Sequence, residues 1–323
     1  MQPYRFMRII AGLAALAFLP HSATAQTYPS RNVTLVVPVG PGGAPDLFAR
    51  LLGEHLQKRL GQSVVIENRP GVGGNLAMQA VVRAGPDGHS LLLMTTPHAI
   101  NATLYPDLGA NLIRDIVPVT GLVGDNFVMV VTPTLAQKTL AEFLAYAKSN
   151  PGYMNMGSSG TGNLSHLAGE LFKMRAGVDM VHVPYRSSPG ALADVMTGTV
   201  DVMFDAIPSA RGSIEAGKLR ALGVTGATEN PTLPGIPPIA DMVRGYEVTG
   251  WMGIGVAQGT PARIVDLLAR EISSALTDPV VKARLADIGS NKLELNAEDF
   301  AKLINDDVRK WAQVIKHAGI KPK

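Results

Sequence analysis

The sequence predicts an α/β protein built as a clamshell: two doubly wound lobes joined by two crossing strands, with a hinge between them. Three observations predict it. The order β-α-β-α-β occurs twice along the chain, which builds parallel sheets with helices on both faces. A glycine-rich loop stands at the matching point of each repeat, after its first strand. Two apolar, charge-poor stretches follow the repeats and read as passages between lobes. At 323 residues the chain is long enough for two compact domains.

The first half opens with Val33 to Pro38, a β-rich run entering the loop Gly40-Pro41-Gly42-Gly43. A helix follows from about Asp46 to Leu60. Its residues Leu47, Phe48, Leu51, Leu52, Leu56 and Leu60 recur at helical spacing, and Gly61 stops it. Next come a strand (Val64 to Glu67), the turn Asn68-Arg69-Pro70-Gly71, a helix (Asn75 to Ala84) and a strand from Ser90 to Thr95, closed by Pro97. The second half repeats this order. Tyr153 to Gly157 is a strand into Gly157-Ser158-Ser159-Gly160-Thr161-Gly162. Leu164, Leu167, Ala168, Leu171 and Phe172 mark one face of a helix that Gly177 ends. Met180 to Pro184 is a strand, Tyr185 to Gly190 a turn, Ala191 to Thr197 a helix and Val200 to Asp205 a strand, with Pro208 just beyond. The interval from glycine loop to turn arginine is 27 residues in one half (Gly42 to Arg69) and 26 in the other (Gly160 to Arg186).

Ile116 to Thr132 reads as a strand closing the first lobe and a crossing strand into the second. Leu219 to Thr225 is a further strand, Pro231 to Pro238 a proline-rich loop, and Val248 to Val256 a return crossing. Helices at about Pro261 to Leu276, Pro279 to Ile288 and Ala297 to Ala318 would pack back on the first lobe. Residues 26–124 with 247–323 are therefore expected to form lobe 1, and residues 125–246 lobe 2.

Composition narrows the function. Arg5 and Arg8, the apolar run Ile9 to Leu19 and the small residues Ala23-Thr24-Ala25 have the layout of a secretory signal over residues 1–25. An eleven-residue run is far short of the roughly 20 that span a bilayer, so no stable membrane insertion is expected. The remaining 27 basic and 26 acidic residues nearly balance, with no basic stripe, which argues against nucleic acid. With no cysteine, thiol catalysis and thiolate metal sites are ruled out. No Gly-x-Ser-x-Gly elbow, Walker loop, dinucleotide fingerprint or His-Glu-x-x-His spacing occurs. An enzyme is not expected, nor any cofactor or metal. What remains is the pair of glycine loops. Each strand-to-helix turn offers unpaired backbone N–H groups and the positive end of a helix dipole, an arrangement that receives anions.

Several segments in their order resemble one family. They are Tyr28-Pro29-Ser30-Arg31, Val36 to Gly43 with Asp46, Glu67 to Gly74, Gly157 to Gly162 with His166-Leu167-Ala168, His182-Val183-Pro184-Tyr185 and Val200 to Asp205. The chain is similar to the extracytoplasmic solute receptors of tripartite tricarboxylate transporters, the Bug family, from about Tyr28 to the C-terminus. The resemblance implies a type II periplasmic-binding fold, a carboxylate-bearing ligand between the lobes, and integral-membrane transporter subunits as partners. A soluble periplasmic receptor, expected as a monomer, follows. A ligand-sensing subunit of a membrane signalling protein is the alternative, and a secreted hydrolase a remote third.

By the same resemblance the loops hold ligand carboxylates through backbone N–H groups. That role falls on Val39, Gly40, Gly42 and Gly43 in the first half, and on Ser158, Gly160, Thr161, Gly162 and Asn163 in the second. The family commonly has Lys-Gly where Arg186 and Ser187 stand, and Ser or Thr where Asn163 stands, so ligand choice is expected to differ there. Asp46, in the first helical turn, either caps the helix, or else orients the loop or reaches ligand-bound water. Asp205 either meets an amine on the ligand or bonds to backbone. Arg186 is a better carboxylate contact than Arg69. Thr96 and His98 are placed at the cleft, Tyr185 as an aromatic wall, and His166 as a packing residue.

Overall fold

The computed structural model describes residues 28–287 and 291–321. The secretory-signal reading of residues 1–25 lies outside them. Contacts divide the chain into Met1–Ser30 and Arg31–Lys323, and the fold below is that of the second unit.

The elements follow the expected order. They are β1 (Val33–Val37), α1 (Ala44–Leu60), β2 (Val64–Asn68), α2 (Asn75–Ala84), β3 (Ser90–Thr95), α3 (Thr96–Leu104), α4 (Leu112–Asp115) and β4 (Ile116–Val131). Then come α5 (Leu140–Ser149), β5 (Met154–Ser158), α6 (Leu164–Ala176), β6 (Met180–Pro184), α7 (Ser188–Thr197), β7 (Val202–Ala206), α8 (Ile207–Glu215) and β8 (Arg220–Val224). The chain finishes with β9 (Thr249–Ala257), α9 (Ala262–Ala275), α10 (Pro279–Asp287), β10 (Asn291–Leu295) and α11 (Ala297–Ala318).

The two halves are built alike. β1 lies between β2 and β3, parallel to both, and β5 lies likewise between β6 and β7. One sheet runs through the molecule in the order β2-β1-β3-β9-β4-β7-β5-β6, with β8 and β10 also pairing with β4. The stretch read as two strands, one closing and one crossing, is a single strand of 16 residues. Its first part pairs antiparallel with β9, as Gly121↔Gly253 and Asn126↔Thr249. Its last five residues pair antiparallel with β7, as Phe127↔Ala206. β4 is thus a member of both halves, and β9 makes the return passage.

Glycines in these passages make room for the C-terminal helix. A Cβ at Gly253 would lie 2.4 Å from Phe300 Cζ and 2.5 Å from the Thr120 carbonyl oxygen. Phe300, fully buried, meets Trp251 edge-on at 5.3 Å, and the Trp251 indole donates to Asp307 Oδ2 at 2.7 Å. α11 reaches α3, β4 and α6, and so touches both halves. The helices bury the faces that their periodicity indicated, with two differences. Leu47, assigned to the buried face of α1, is 48% exposed. α6 is buried on all sides from Leu164 to Phe172 rather than on one face, because β-strands and α11 cover it together.

The two passages are tied at one side chain. Thr225, fully buried, accepts from the Phe127 N–H at 2.9 Å and donates to the Val248 carbonyl at 2.6 Å. Thr225→Val strands both backbone groups, each worth about 1–3 kcal/mol when buried and unpaired. Urea unfolding is expected to show a loss of about 2–4 kcal/mol. An unchanged midpoint would mean that the hydroxyl contributes nothing at this junction.

Candidate functional site

Strand register places the two glycine loops. Thr95, which ends β3, pairs with Met252, and Met252 pairs with Val123 of β4. Ala206, which ends β7, pairs with Phe127 of the same strand. β3 runs with β4 and β7 against it, so their C-terminal ends face each other across the four-residue interval from Val123 to Phe127. At about 3.3 Å per residue that interval is roughly 13 Å. Both loops leave from neighbouring C-terminal ends, those of β1 and β5.

The first loop is held from below. Asp46, 1% exposed, accepts from the Gly42 N–H at 2.9 Å, from Asn68 Nδ2 at 2.8 Å and from the Arg50 guanidinium at 3.0 Å. The Arg50 hydrogen bond above all holds its carboxyl at about 2 despite burial. Asn68 also donates to the Val39 carbonyl at 3.0 Å. Gly42 takes φ +87°, which favours glycine. Gly43 is the N-cap of α1. Among the described residues, the N–H groups of Val39, Gly40 and Gly43 meet no protein acceptor. Asp46 therefore shapes the loop, and its oxygens are already occupied.

The second loop is tied down differently. Ser159 N–H donates to Ser165 Oγ (2.8 Å), Gly160 N–H to Ser158 Oγ (3.2 Å), Gly162 N–H to His166 Nδ1 (3.1 Å) and Asn163 N–H to the Gly160 carbonyl (3.4 Å). Within this loop, among the described residues, only the Thr161 N–H lacks a protein acceptor. The expectation of several unpaired N–H groups is thus met in the first loop and not in the second. The reason is composition: Ser158, Ser165 and His166 supply acceptors that a loop of glycines would lack. Asn163 is the N-cap of α6, accepting from the His166 N–H at 3.1 Å. His166 is 4% exposed and stacks on His182 at 3.6 Å between ring centroids. His182 in turn lies 2.7 Å from Ser158 Oγ.

Thr96 and His98 are both buried, and His98 borders a small recess with Asn75, Asn101 and Tyr105. α3 begins at Thr96, the Thr96 hydroxyl accepts from the Trp251 N–H at 2.8 Å, and His98 is fully buried. His98 Nδ1 accepts from the Thr95 N–H in a capping box, and burial pushes the ring down to about 4, leaving it neutral. The Tyr185 phenol bonds Asp194 at 2.5 Å, and burial with that carboxylate pushes it up to about 12. The matched arginines differ. Arg69 pairs with Glu67 at 2.6 Å, whereas Arg186 is exposed and has no ion pair or hydrogen bond among the described residues.

Asp205 is 3% exposed and accepts from the Ser188 hydroxyl. Burial raises its carboxyl to about 6, against the Ser188 hydroxyl and Ala206 N–H, which lower it. A carboxyl raised in the folded state binds protons that the unfolded chain has released, so stability falls as pH rises from about 4 to about 6. Asp205→Asn keeps an acceptor for Ser188 and removes the charge. It is expected to be more stable than the parent at pH 7.5 by about 1–3 kcal/mol, with the two converging below pH 4. Melting curves across that range check this, and a less stable variant at pH 7.5 would refute it.

The residues not foreseen are those beneath the loops: Arg50, Asn68, Ser165 and His182. Asn68 had a signal, since it sits level with Val37 at the adjacent strand end. The others depend on packing.

Facing strand ends, two helix-opening loops and two passages between halves define the class of two-lobed α/β solute-binding proteins. Residues 48–320 match the family model described as the tripartite tricarboxylate transporter family receptor. The chain is 32% identical to Protein BugT of Bordetella pertussis, covering all of both chains. It is similar to the structure of R. palustris Rpa4515 with adipate (34% identity, TM-score 0.76, 92% of this chain and 100% of that one). It is also similar to MatC from Rhodopseudomonas palustris with bound malate (32% identity, TM-score 0.72, 89% and 100%). The chain belongs to the tripartite tricarboxylate transporter receptor family, the Bug proteins. It is a solute receptor, not an enzyme. No helix among the described residues is long and apolar enough to cross a membrane.

Proposed function

We propose that the chain captures a small carboxylate in the periplasm, between the loops Gly40–Gly43 and Gly157–Gly162, and delivers it to integral-membrane transporter subunits. The observation that carries this is the pair of loops at strand ends facing across the Val123–Phe127 interval. On this reading residues 26–124 and 247–323 form one lobe and residues 125–246 the other, residues 1–25 are removed on export, and the receptor works as a monomer. The N–H groups of Val39, Gly40 and Gly43 receive one carboxylate, a charge-assisted contact suited to short donors. Thr161 N–H and the Arg186 guanidinium approach it from the other side. Asp46, Thr96, His98 and Asn163 act by shaping the walls rather than by touching ligand. Asp205 lies beside the gap as a selector of ligand charge. Adipate and malate, held by two relatives, are the first compounds to test. Mass spectrometry of the purified protein for a retained ligand, with thermal shifts over a carboxylate panel, checks the reading. A carboxylate is expected to raise the melting temperature in a concentration-dependent way. No shift with any carboxylate would count decisively against it.

A further inference from the structure

The second loop rests on two histidines whose chemistry the receptor reading leaves unused. Gly162 N–H donates to His166 Nδ1, so that nitrogen carries a lone pair and the ring proton sits on Nε2. Nε2 faces Glu170 Oε1 at 3.5 Å. Burial raises the Glu170 carboxyl, but His166 and Lys173 outweigh it and hold it below its ordinary value, as a carboxylate. Gly160 N–H meets Ser158 Oγ, which lies 2.7 Å from His182 Nε2. The two rings stack with 11° between their planes. Two loop amides, those of Gly160 and Gly162 on either side of Thr161, are therefore anchored, one through Ser158 and one directly, on a single imidazole stack.

The surroundings are charged and open on one side. A cavity of about 590 Å³ is lined by His166, Glu170, Lys173, Asp179, His182 and His317. Lys173 lies 3.1 Å from Glu170 and 3.9 Å from Asp179. His317 comes from α11, Asp179 from the turn before β6 and His182 from β6; these titratable groups share the cavity with His166, and of them His182 stacks on its ring. Among the described residues no group of three His, Asp or Glu is arranged to hold a metal ion.

We propose that the His166–His182 stack positions the second loop and couples ligand capture to proton uptake at His166. The argument is a competition for one hydrogen. In the empty loop the Gly162 N–H is spent on His166 Nδ1. A ligand carboxylate that draws this N–H into the gap leaves the Nδ1 lone pair unfilled, in contact with the Glu170 carboxylate through the other nitrogen. A proton then binds at Nδ1, and the imidazolium donates from Nε2 to Glu170. Stacking on His182 limits the pair to one proton, since two charged rings at this separation repel. By linkage, what ligand does to proton binding, protons do to ligand binding, so affinity rises as pH falls. This rests on the carboxylate reading of the loops.

Two measurements on the full-length mature receptor test it. In ligand-free protein, the Gly162 amide resonance is expected to titrate with the same midpoint as the His166 ring, and to lose that titration in His166→Gln, which keeps an acceptor that does not ionise. In calorimetry with adipate, binding is expected to take up a fraction of a proton, and affinity to rise about three- to tenfold from pH 8 to pH 6, within the roughly hundredfold ceiling that one fully linked proton sets over two pH units. His166→Gln is expected to bind with no uptake beyond that of adipate itself. Glu170→Gln, which keeps the histidine, is expected to move the midpoint to lower pH without abolishing the linkage, and it guards against a misfolded His166→Gln. Adipate binding with a pH profile shared by parent and His166→Gln would overturn the proposal. If adipate does not bind, the carboxylate reading loses its first test compound and the amide titration decides. A Gly162 resonance blind to His166 overturns the coupling, and one that tracks it upholds the positioning role.

Discussion

Gly160→Val is expected to weaken carboxylate binding by at least about 100-fold, close to 3 kcal/mol, while leaving the fold intact. Gly160 sits at φ +138°, a conformation that a β-branched residue resists. A Cβ there would lie 3.3 Å from Asn163 Nδ2 and 3.5 Å from the Tyr185 carbonyl. The side chain is not crushed, so the lobe survives. The backbone must turn, however, and Thr161 N–H turns with it. Calorimetry with adipate and malate, alongside a circular dichroism spectrum matching the parent, checks the effect. Unchanged affinity would show the second loop to be a structural turn.

Gly253→Ala is expected to act in the opposite way, by preventing folding rather than binding. Its Cβ would fall 2.4 Å from Phe300 Cζ, 2.5 Å from Phe300 Cε1 and 2.5 Å from the Thr120 carbonyl. A ring edge could rotate, but the carbonyl belongs to β4 and cannot move without breaking the β4–β9 ladder. Overpacking of this kind costs about 1–3 kcal/mol in an adaptable core, and here backbone adds to it. The expected loss exceeds about 3 kcal/mol, read as a large drop in melting temperature or in soluble yield. Phe300→Leu combined with Gly253→Ala is expected to recover only part of it, because the carbonyl contact persists.

Much of this architecture was legible because it rests on local patterns. The repeated strand, glycine loop and helix gave β1 to β3 and β5 to β7 within a residue or two, and Gly61 and Gly177 do close their helices with φ of +68° and +64°. The misses share a cause. Pro97 closes a strand in the sequence and Pro208 lies just beyond one, but each also sits in the first turn of a helix that the pattern does not reveal, α3 and α8. Proline fits there because its missing N–H has no partner to lose. Thr96 and His98, expected at the cleft because they follow β3, belong to the buried start of α3. Neither α5 nor β10 is assigned from the sequence. β10 pairs with β4 through a register shift between Lys292 and Leu295, a long-range contact without a local signature. In the site, loop positions were readable from glycine spacing. Which amides remain available was not, because that depends on side chains 2–24 residues distant, such as Ser158 beneath Gly160 and His182 beneath Ser158.

The late return of β9 has a consequence for how the chain comes together as it emerges from a ribosome or a translocation channel. Leu93 of β3 finds its antiparallel partner at Ile254, so the layer β2-β1-β3 keeps an unpaired inner edge until most of the polypeptide is out. The layer β4, β7, β5, β6 and β8, by contrast, has all its strands by Val224. Contacts between distant residues form slowly, and an exposed strand edge is the surface on which unfinished chains adhere. The N-terminal layer is therefore the part that needs protection during export, and truncations ahead of residue 249 should aggregate through it.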